Sequence, residues 1–258
     1  MAGKKKIIAK IIKQEQLAPG IFDLWMETSL AQEASCGQFI GVYPKDKSHL
    51  LPRPISICEV RKEENLLRLV YRVQGDGSKE FSCLKKGDEI WILGILGNGF
   101  SPLDGKGKRV LLMGGGIGIP PILQLVKELE AESTVILGYR NEDLFLKNEF
   151  EPYAKVLVAT EDGSVGVKGN VMNVLEKEDY KADIIYACGP LPMLKAIKEY
   201  AAWKKIPAYL SLEERMACGV GACLGCVCKT TKKDHHSHVD NARICTDGPV
   251  FLAEDVMI

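Results

Sequence analysis

The spacing of the cysteines near the C-terminus constrains this chain more than any other feature of its sequence. Five of its nine cysteines lie between residues 218 and 245, and four of them follow the pattern C-x4-C-x2-C-x18-C. This is plant-type [2Fe-2S] ligand spacing, because two irons need four thiolates from one tightly wrapped loop. Glycines between the cysteines allow backbone amides to approach the sulfides. The pattern predicts a [2Fe-2S] cluster with four ligands: Cys218, Cys223, Cys226 and Cys245.

A structural zinc site is the alternative for the same segment. Tetrahedral zinc accepts cysteine and histidine, and His235, His236 and His238 lie between the third and fourth predicted ligands. The ligand spacing favours the cluster, and the polar sequence around the histidines predicts a solvated loop. Cys228 is a fifth thiol that the [2Fe-2S] spacing leaves out, so we expect it to be a spectator.

The remaining cysteines and the overall charge exclude several classes of protein. An odd number of cysteines, clustered in this way, does not resemble a secreted disulfide framework, and a reducing cytoplasm fits best. The formal net charge is zero, with 34 basic and 34 acidic residues, so we expect no nucleic-acid partner. The most apolar stretch is shorter than the ~20 residues that span a bilayer, so we expect no membrane anchor. Four scattered cysteines are predicted to be small core residues: Cys36, Cys58, Cys83 and Cys188.

The pattern of strands and helices changes twice along the chain. Up to about residue 100, short alternating or apolar runs separated by turn residues predict a small β-barrel. From residue 108, buried strands alternate with helical segments, which is typical of a parallel, doubly wound α/β fold. After a strand at 208–212 the sequence is rich in cysteine and glycine. We therefore predict a mixed β and α/β fold with three domains, at residues 1–102, 103–206 and 207–258.

Three segments of the predicted barrel are together suited to a flavin nucleotide. Arg53-Pro54-Ile55-Ser56 offers a cation for a pyrophosphate and a small hydroxyl near an isoalloxazine ring. Leu69-Val70-Tyr71-Arg72-Val73 follows, and then Gly75-Asp76-Gly77-Ser78 can present backbone amides to phosphate. Each segment alone also fits a surface ion pair, ordinary strand packing or a plain turn. Their order within 30 residues predicts a flavin site.

A glycine-rich turn follows the first buried strand of the α/β half. The turn Gly114-Gly115-Gly116-Ile117-Gly118 opens a helix, where amide groups and the helix dipole favour a dinucleotide pyrophosphate. Cys188-Gly189-Pro190 ends a later strand of the same sheet, and ligands bind beyond such strand ends. Cys188 would either line the pocket or belong to the core. Arg140 would suit a 2′-phosphate, whereas the acidic pair after it opposes one and favours NADH. The predicted nicotinamide-site residues are Gly114, Gly115, Gly116, Gly118, Cys188, Gly189 and Pro190.

Over essentially its whole length the sequence resembles the ferredoxin-NADP reductase type of flavoprotein and, within it, the electron transfer subunits of dihydroorotate dehydrogenase B. The matching pieces are Arg53 to Ser56, Gly97 to Phe100, Gly114 to Pro121, Cys188 to Pro190 and, most specifically, Glu214 to Cys223. The resemblance implies redox chemistry on bound cofactors, with no catalytic side chain. It implies an FAD held by Arg53, Pro54, Ile55, Ser56, Val70, Tyr71, Arg72, Gly77 and Ser78, and a cluster on the four cysteines of the C-x4-C-x2-C-x18-C pattern.

The same resemblance implies a catalytic partner. That subunit would be a (β/α)8 barrel with FMN that oxidises dihydroorotate to orotate in pyrimidine biosynthesis, in a heterotetramer of two copies of each chain. Such a barrel takes ~250 residues, and the residues of this chain already form the three predicted cofactor sites. This chain would therefore not oxidise dihydroorotate alone. Electrons would pass from FMN through the [2Fe-2S] cluster and FAD to NAD.

Two rival functions stay open at this point. One is a subunit of a related complex, an NADH-dependent ferredoxin-NADP oxidoreductase or a hydrogenase. The former relatives often have aspartate at the first ligand position, where this chain has Cys218. The other is a zinc-stabilised sensor of nucleotides built on a degenerate reductase fold.

Overall fold

The computed structural model describes residues 4–177, 180–233 and 239–258. The predicted solvated loop with His235, His236 and His238 lies outside the described residues. Within the described part of the chain, no helix is long and apolar enough to cross a membrane.

Six antiparallel strands close into a barrel, as the alternating runs predict. In the first strand Ala9 and Ile11 are fully buried, whereas Ile8 and Lys10 point to the outside. One short helix, α1 (Asp76–Phe81), follows the fifth strand, and Phe81 enters the barrel core. The strand order is β1-β2-β5-β4-β3-β6. The strands are β1 (Lys5–Ala18), β2 (Ile21–Glu27), β3 (Phe39–Val42), β4 (Arg53–Arg61), β5 (Leu66–Arg72) and β6 (Glu89–Leu96).

A seven-stranded sheet forms the second half of the fold, in the order β10-β9-β8-β7-β11-β12-β15. All neighbours are parallel except β12 and β15, which are antiparallel. The strands are β7 (Arg109–Gly115), β8 (Glu132–Tyr139), β9 (Lys155–Thr160), β10 (Val167–Lys168), β11 (Ile184–Cys188), β12 (Ala208–Ser211) and β15 (Val250–Leu252).

Helices cover both faces of this sheet, so the predicted doubly wound fold class is confirmed. The helices are α2 (Pro120–Glu128), α3 (Lys147–Phe150), α4 (Val171–Leu175) and α5 (Leu191–Lys204). Ile122 of α2 and Phe150 of α3 belong to one buried core, whereas Val171 of α4 and Leu194 of α5 belong to another. Buried strands with apolar residues on both faces are what a parallel sheet between two helical layers requires.

The C-terminal segment is divided between the sheet and a small cysteine-bearing module. After β12 the chain forms a loop and a two-stranded hairpin, β13 (Val227–Lys229) and β14 (Asn241–Arg243), before it returns to the sheet as β15. The predicted third domain thus contains two strands of the sheet. The boundaries of the three predicted domains stay a prediction.

Helix α2 of the α/β half contacts the barrel through two of its side chains. Gln124 Oε1 accepts a hydrogen bond from the backbone amide of Val60 on β4 at 2.9 Å. Lys127 Nζ lies 2.9 Å from Glu59 Oε2 on the same strand. These contacts fix the orientation of the glycine-rich turn that precedes α2 relative to the barrel.

The expectation for the scattered cysteines is right for three and wrong for one. Cys36, Cys58 and Cys188 are buried, but Cys83 is exposed. Cys83 lies in the turn after α1, where Phe81 and Leu84 enter the core and the residues between them face solvent. The apolar neighbours of Cys83 in sequence therefore do not indicate burial of Cys83 itself.

Candidate functional site

A cleft of about 300 Å³ opens where β4 and β5 of the barrel face the α/β sheet. All of the predicted flavin residues except Gly77 line it. Ile117 of the glycine-rich turn lines it from the second sheet, and Met216, two residues before Cys218, lines it from the segment that leads to the cysteines. The cleft thus brings together parts of the three predicted sites. Its predicted flavin residues are Arg53, Pro54, Ile55, Ser56, Val70, Tyr71, Arg72 and Ser78.

Gly77 lies directly against the guanidinium of Arg53. A Cβ atom on Gly77 would be 2.6 Å from Arg53 Nε and 2.9 Å from Arg53 Cζ, so a side chain would displace the guanidinium. Arg53 Nη1 also donates to the carbonyl of Leu51 at 2.5 Å. Ser78 Oγ accepts hydrogen bonds from the amides of Gln74 and Gly75 at 2.8 and 3.1 Å. A guanidinium held against a residue without a side chain fits the pyrophosphate of a flavin nucleotide.

Tyr71 and Arg72 contribute to the cleft in different ways. The side chain of Tyr71 is buried in the barrel, where its hydroxyl donates to Gln14 Oε1 at 3.0 Å and its ring stacks on Phe22. Burial raises the pKa of the Tyr71 hydroxyl. Arg72, next in the chain, reaches the second sheet, because its Nη2 would lie 3.4 Å from a Cβ atom on Gly116. Arg72 therefore links the flavin cleft to the glycine-rich turn.

The glycine-rich turn packs tightly against the end of β11. Gly114 of β7 pairs in register with Cys188, and a Cβ atom on Gly118 would lie 2.4 Å from the Cys188 carbonyl oxygen. A Cβ atom on Gly115 would lie 2.5 Å from Met193 Sδ and 3.1 Å from Pro190 Cδ. The two predicted strand ends are thus adjacent, and Gly116 and Ile117 are the partly exposed residues of the turn. This arrangement fits a dinucleotide pyrophosphate.

Cys188 and Gly189 lie at the end of β11. Cys188 is buried, and this burial, with a smaller contribution from Glu213, raises the pKa of its thiol to about 12. Of the two alternatives for Cys188, the structure therefore has the core position. A Cβ atom on Gly189 would lie 2.5 Å from Met193 Cε, so a side chain here would displace the end of Met193.

The four predicted cluster ligands come together in two pairs. Cys218 interacts with Cys223, and Cys226 with Cys245. The sulfur of Cys218 accepts hydrogen bonds from the amides of Val220, Ala222 and Cys223 at 3.3–3.4 Å. Two pairs of thiols around one loop fit a cluster of two irons, in which each iron takes two thiolates. In the described part of the chain, no group of three or more His, Cys, Asp or Glu side chains is arranged to bind a single metal ion.

Backbone amides create a favourable environment for thiolate at the start of this loop. Burial tends to raise the pKa of Cys218, but the amide hydrogen bonds outweigh it and lower the pKa to about 6. Burial and the neighbouring Cys226 raise the pKa of Cys245 to about 12. The backbone of the loop therefore favours the thiolate form of the first predicted ligand, Cys218.

Comparison with known proteins identifies the family. Residues 213–257 match the family model of the iron-sulfur cluster binding domain of dihydroorotate dehydrogenase B. Over 256 residues the chain is 43% identical to the dihydroorotate dehydrogenase B (NAD(+)) electron transfer subunit of Streptococcus pneumoniae (strain ATCC BAA-255 / R6), covering 96% of this chain and 97% of the relative. The chain belongs to this family of electron transfer subunits. The member from Lysinibacillus sphaericus (strain C3-41) is 43% identical over 249 residues, which cover 94% and 95% of the two chains.

A solved structure of another complex has the same fold over the whole chain. A chain of the NADH-dependent reduced ferredoxin-NADP oxidoreductase, studied for flavin-based electron bifurcation, has 30% sequence identity and a TM-score of 0.85. The match covers 100% of this chain and 91% of that chain. Family membership confirms the predicted resemblance and the predicted role as an electron transfer subunit of an oxidoreductase.

Sequence reasoning did not find every residue at the site of this family member. The segment from Ser211 to Glu214 lines the flavin cleft, as do Phe39 and Pro249. Phe39 lies on β3 of the barrel, whereas Pro249 reaches the cleft because β15 returns to the sheet beside β12, a pairing that the sequence pattern did not indicate. Cys228 is half-buried on β13 opposite Ala242, and its spectator role stays a prediction.

The barrel holds the loop that carries the fourth predicted ligand. Asn98 Nδ2 donates to the carbonyls of Thr246 and Asp247 at 2.9 and 3.2 Å, and the Asn98 amide donates to the Gly248 carbonyl at 2.6 Å. Asn98 lies in the matching piece Gly97 to Phe100, which gave the only sequence signal for this contact. Cys245 is thereby positioned relative to the barrel through its neighbour Thr246.

Proposed function

We propose that this chain connects the FMN of a catalytic partner to NAD, through a [2Fe-2S] cluster and an FAD, in the NAD-dependent oxidation of dihydroorotate to orotate. One observation supports this proposal most directly. A single cleft is bordered by Arg53 and Ser56 of the barrel, by Ile117 of the glycine-rich turn and by Met216 beside the first cluster cysteine. FAD, an iron-sulfur cluster and NAD are the redox groups of this family, as predicted. The match of residues 213–257 to an iron-sulfur cluster binding domain disfavours a zinc-stabilised sensor.

The residues of the cleft would hold the FAD. The Arg53 guanidinium, which Gly77 accommodates, would bind the pyrophosphate, with Ser78 at the adjoining turn. Ser56 would place its hydroxyl at the flavin ring. Pro54, Ile55 and Val70 would line the cleft beside it. Tyr71 would stabilise the barrel side of the cleft from the barrel core, since its hydroxyl is hydrogen-bonded to Gln14. Arg72 would lie between the flavin and the nicotinamide site.

The ends of β7 and β11 would hold the dinucleotide. The amides of the glycine-rich turn would bind its pyrophosphate, and Gly189 and Pro190 would border the nicotinamide. A side chain on Gly118 would clash with the Cys188 carbonyl, and one on Gly115 would displace Met193, so glycine at both positions lets the turn pack against the end of β11. The residues proposed for this site are Gly114, Gly115, Gly116, Gly118, Gly189 and Pro190, together with the main chain of Cys188, whose thiol is buried in the core.

Four thiolates would hold the cluster, from Cys218, Cys223, Cys226 and Cys245. When bound, the flavin exchanges two electrons with NAD and the cluster carries one electron at a time, so the pair joins two-electron and one-electron transfer. The chain contributes the position of the groups. Gly219 packs against Leu96 and Leu93 of β6, which holds the cluster loop on the barrel beside the cleft. Amide donors on Cys218 stabilise negative charge on the cluster thiolates.

An electron transfer subunit works with a catalytic partner subunit. We propose that this partner is a (β/α)8 barrel with FMN and that the complex contains two copies of each chain. The relatives' role as electron transfer subunits supports a separate catalytic chain, and a (β/α)8 barrel takes ~250 residues of its own. The cytoplasmic location and the preference for NADH also stay predictions.

The experiment that tests the proposed function begins with anaerobic purification of the chain from its own cells. Mass spectrometry of the co-purifying chain should identify a flavoprotein dihydroorotate dehydrogenase at comparable abundance. The complex should then reduce NAD with dihydroorotate, whereas the isolated chain should oxidise NADH with an artificial acceptor but leave dihydroorotate unchanged. A hydrogenase or a large flavin subunit in place of that partner would contradict the proposed pathway.

A further inference from the structure

An exposed apolar patch lies on the outer face of the barrel. Ile8 of β1 is directly opposite Trp91 of β6, and the Tyr43 amide donates to the Trp91 carbonyl at 2.9 Å. Ile8 and Trp91 are 46% and 48% exposed, although both lie within regular strands. We call Ile8, Tyr43 and Trp91 the barrel patch. With Pro44 and Lys45 they border a hollow of about 280 Å³.

The barrel patch is continuous with the surface that carries the cluster loop. Leu93 lies two residues beyond Trp91 on the same outer face of β6, roughly 7 Å along the strand. Gly219 of the cluster loop covers Leu93, since a Cβ atom on Gly219 would be 3.7 Å from Leu93 Cδ2. Tyr43 packs at the edge of the core that contains Leu93, Cys226 and Cys245. One apolar face is thus covered by the cluster loop at one end and open at the other.

The cluster loop itself exposes apolar side chains beside its cysteines. Val220 and Leu224 are 42% and 62% exposed. Leu224 also has a φ of +56°, a left-handed conformation that a bulky residue rarely adopts. Single exposed apolar residues are common on proteins, but contiguous ones mark interaction surfaces. Val220 directly follows Gly219, the residue through which the cluster loop contacts Leu93 and Leu96 of β6.

Charged groups at the rim indicate what kind of surface fits the barrel patch. Lys6 Nζ lies 3.9 Å from the centre of the Tyr43 ring and 5.6 Å from that of Trp91. Lys45 lines the hollow together with Glu89. An apolar partner surface with a carboxylate facing Lys6 would match this arrangement.

We propose that the barrel patch, together with Val220 and Leu224, is the docking surface for the catalytic subunit. This proposal rests on the proposed function, in which the partner exchanges electrons with the cluster and must therefore contact the cluster loop. The barrel patch is an exposed apolar surface on the strand that the loop contacts, so a partner seated on the loop would reach it. Trp91 at its centre is the anchor, because tryptophan residues at interfaces contribute a large share of binding energy.

The test compares alanine variants of the full chain loaded with FAD and cluster. Trp91→Ala should raise the Kd for the purified catalytic subunit by about tenfold or more, and Ile8→Ala should act in the same direction. Trp203→Ala is the matched control, since Trp203 is 73% exposed on α5 of the other half of the fold. Flavin content, iron content and the NADH–ferricyanide rate should be unchanged in all three variants.

Two outcomes would overturn the docking surface while the proposed function stands. In one, wild type and both barrel-patch variants bind the catalytic subunit equally well. In the other, Trp91→Ala abolishes self-association of this chain in light scattering but leaves binding of the catalytic subunit intact, so that the occupant is a second copy. A wild-type chain that binds no dihydroorotate-oxidising subunit would instead contradict the proposed function, and this proposal with it.

Discussion

Arg68 on β5 and Glu149 on α3 form a two-point ion pair across the junction between the barrel and the α/β sheet. The Nη1–Oε2 and Nη2–Oε1 distances are 2.6 and 2.8 Å. Arg68 is only 5% exposed, and within the barrel it also donates to Asp23 at 2.8 and 2.9 Å and to Glu59 at 3.2 Å. One buried guanidinium therefore joins the barrel to the α/β sheet, through a Glu149 side chain that is itself 39% exposed.

Replacement of Glu149 by glutamine should weaken this junction. We expect Glu149→Gln to lower the free energy of unfolding by about 2 kcal/mol, because a charge-assisted pair to a buried guanidinium is lost. Urea denaturation of the purified chain measures this change. The control is Glu151→Gln, which removes an exposed pair with Lys147 and should change stability by less than about 1 kcal/mol. Equal effects of the two variants would mean that the junction is not stabilised by Arg68.

Substitution of Gly77 should affect cofactor binding more than folding. In Gly77→Ala the new Cβ would displace the Arg53 guanidinium, whose flexible end can move without disturbing the backbone. We expect FAD affinity to fall by roughly tenfold or more, as for loss of a charged hydrogen bond, with little change in the denaturation midpoint. Fluorescence titration of the apoprotein with FAD measures the affinity. Gly75→Ala is the matched control, because nothing lies within 4 Å of a Cβ atom there. Equal FAD affinities in the two variants would contradict a role of Arg53 in binding.

The barrel and the sheet were predictable because their burial follows the residue period of each element. The first and last residues of the strands were less predictable. β1 continues to Ala18, well beyond the apolar alternation, because polar residues such as Gln14 and Gln16 pair with Leu24 and Phe22 of β2. Strand pairing with a neighbour stabilises this extension, and a sequence pattern read along one segment does not contain that neighbour.

The site was predictable where one segment carries the chemistry and not where distant segments meet. The cysteine spacing and the glycine-rich turn are local features. The contact between Gly77 and Arg53 joins residues 24 positions apart, and that between Asn98 and Thr246 joins residues 148 positions apart. Strands β10 and β15, of two and three residues, are too short to show a period. The return of β15 places Pro249 at the cleft, so this part of the wall was missed.

The ion pair between Asp183 and Arg109 should make stability depend on pH in the acid range. Hydrogen bonds from the Arg109 side chain and amide lower the pKa of Asp183 from 3.8 to about 2. The lowered pKa means that the pair stabilises the fold above pH 3.8, and that this contribution is lost as the pH falls towards 2. The urea midpoints of wild type and Asp183→Asn should therefore differ by a constant amount from pH 8 to pH 5 and converge below pH 4. A difference that stays constant down to pH 3 would contradict this assignment.

Removal of one proposed cluster ligand should separate the cluster from the flavin. In Cys223→Ser, the serine hydroxyl is a poor substitute for a thiolate, so we expect loss of the visible cluster absorbance and of iron. Transfer between NADH and the catalytic subunit should stop, whereas FAD content should stay at the wild-type level, because Cys223 does not line the flavin cleft. Absorbance spectra, iron analysis and coupled assays measure the three quantities.

The fifth thiol of the segment provides the control for this experiment. Cys228→Ser changes a half-buried thiol on β13 that lies outside the two ligand pairs, so iron content and electron transfer should be retained. Loss of iron from Cys228→Ser with retention in Cys223→Ser would show that the ligand set differs from the proposed one. Loss of FAD together with iron from Cys223→Ser would show that the cluster loop is needed to keep the cleft formed. In that case the contact of Gly219 with Leu93 and Leu96 would hold the flavin site together as well as the cluster loop.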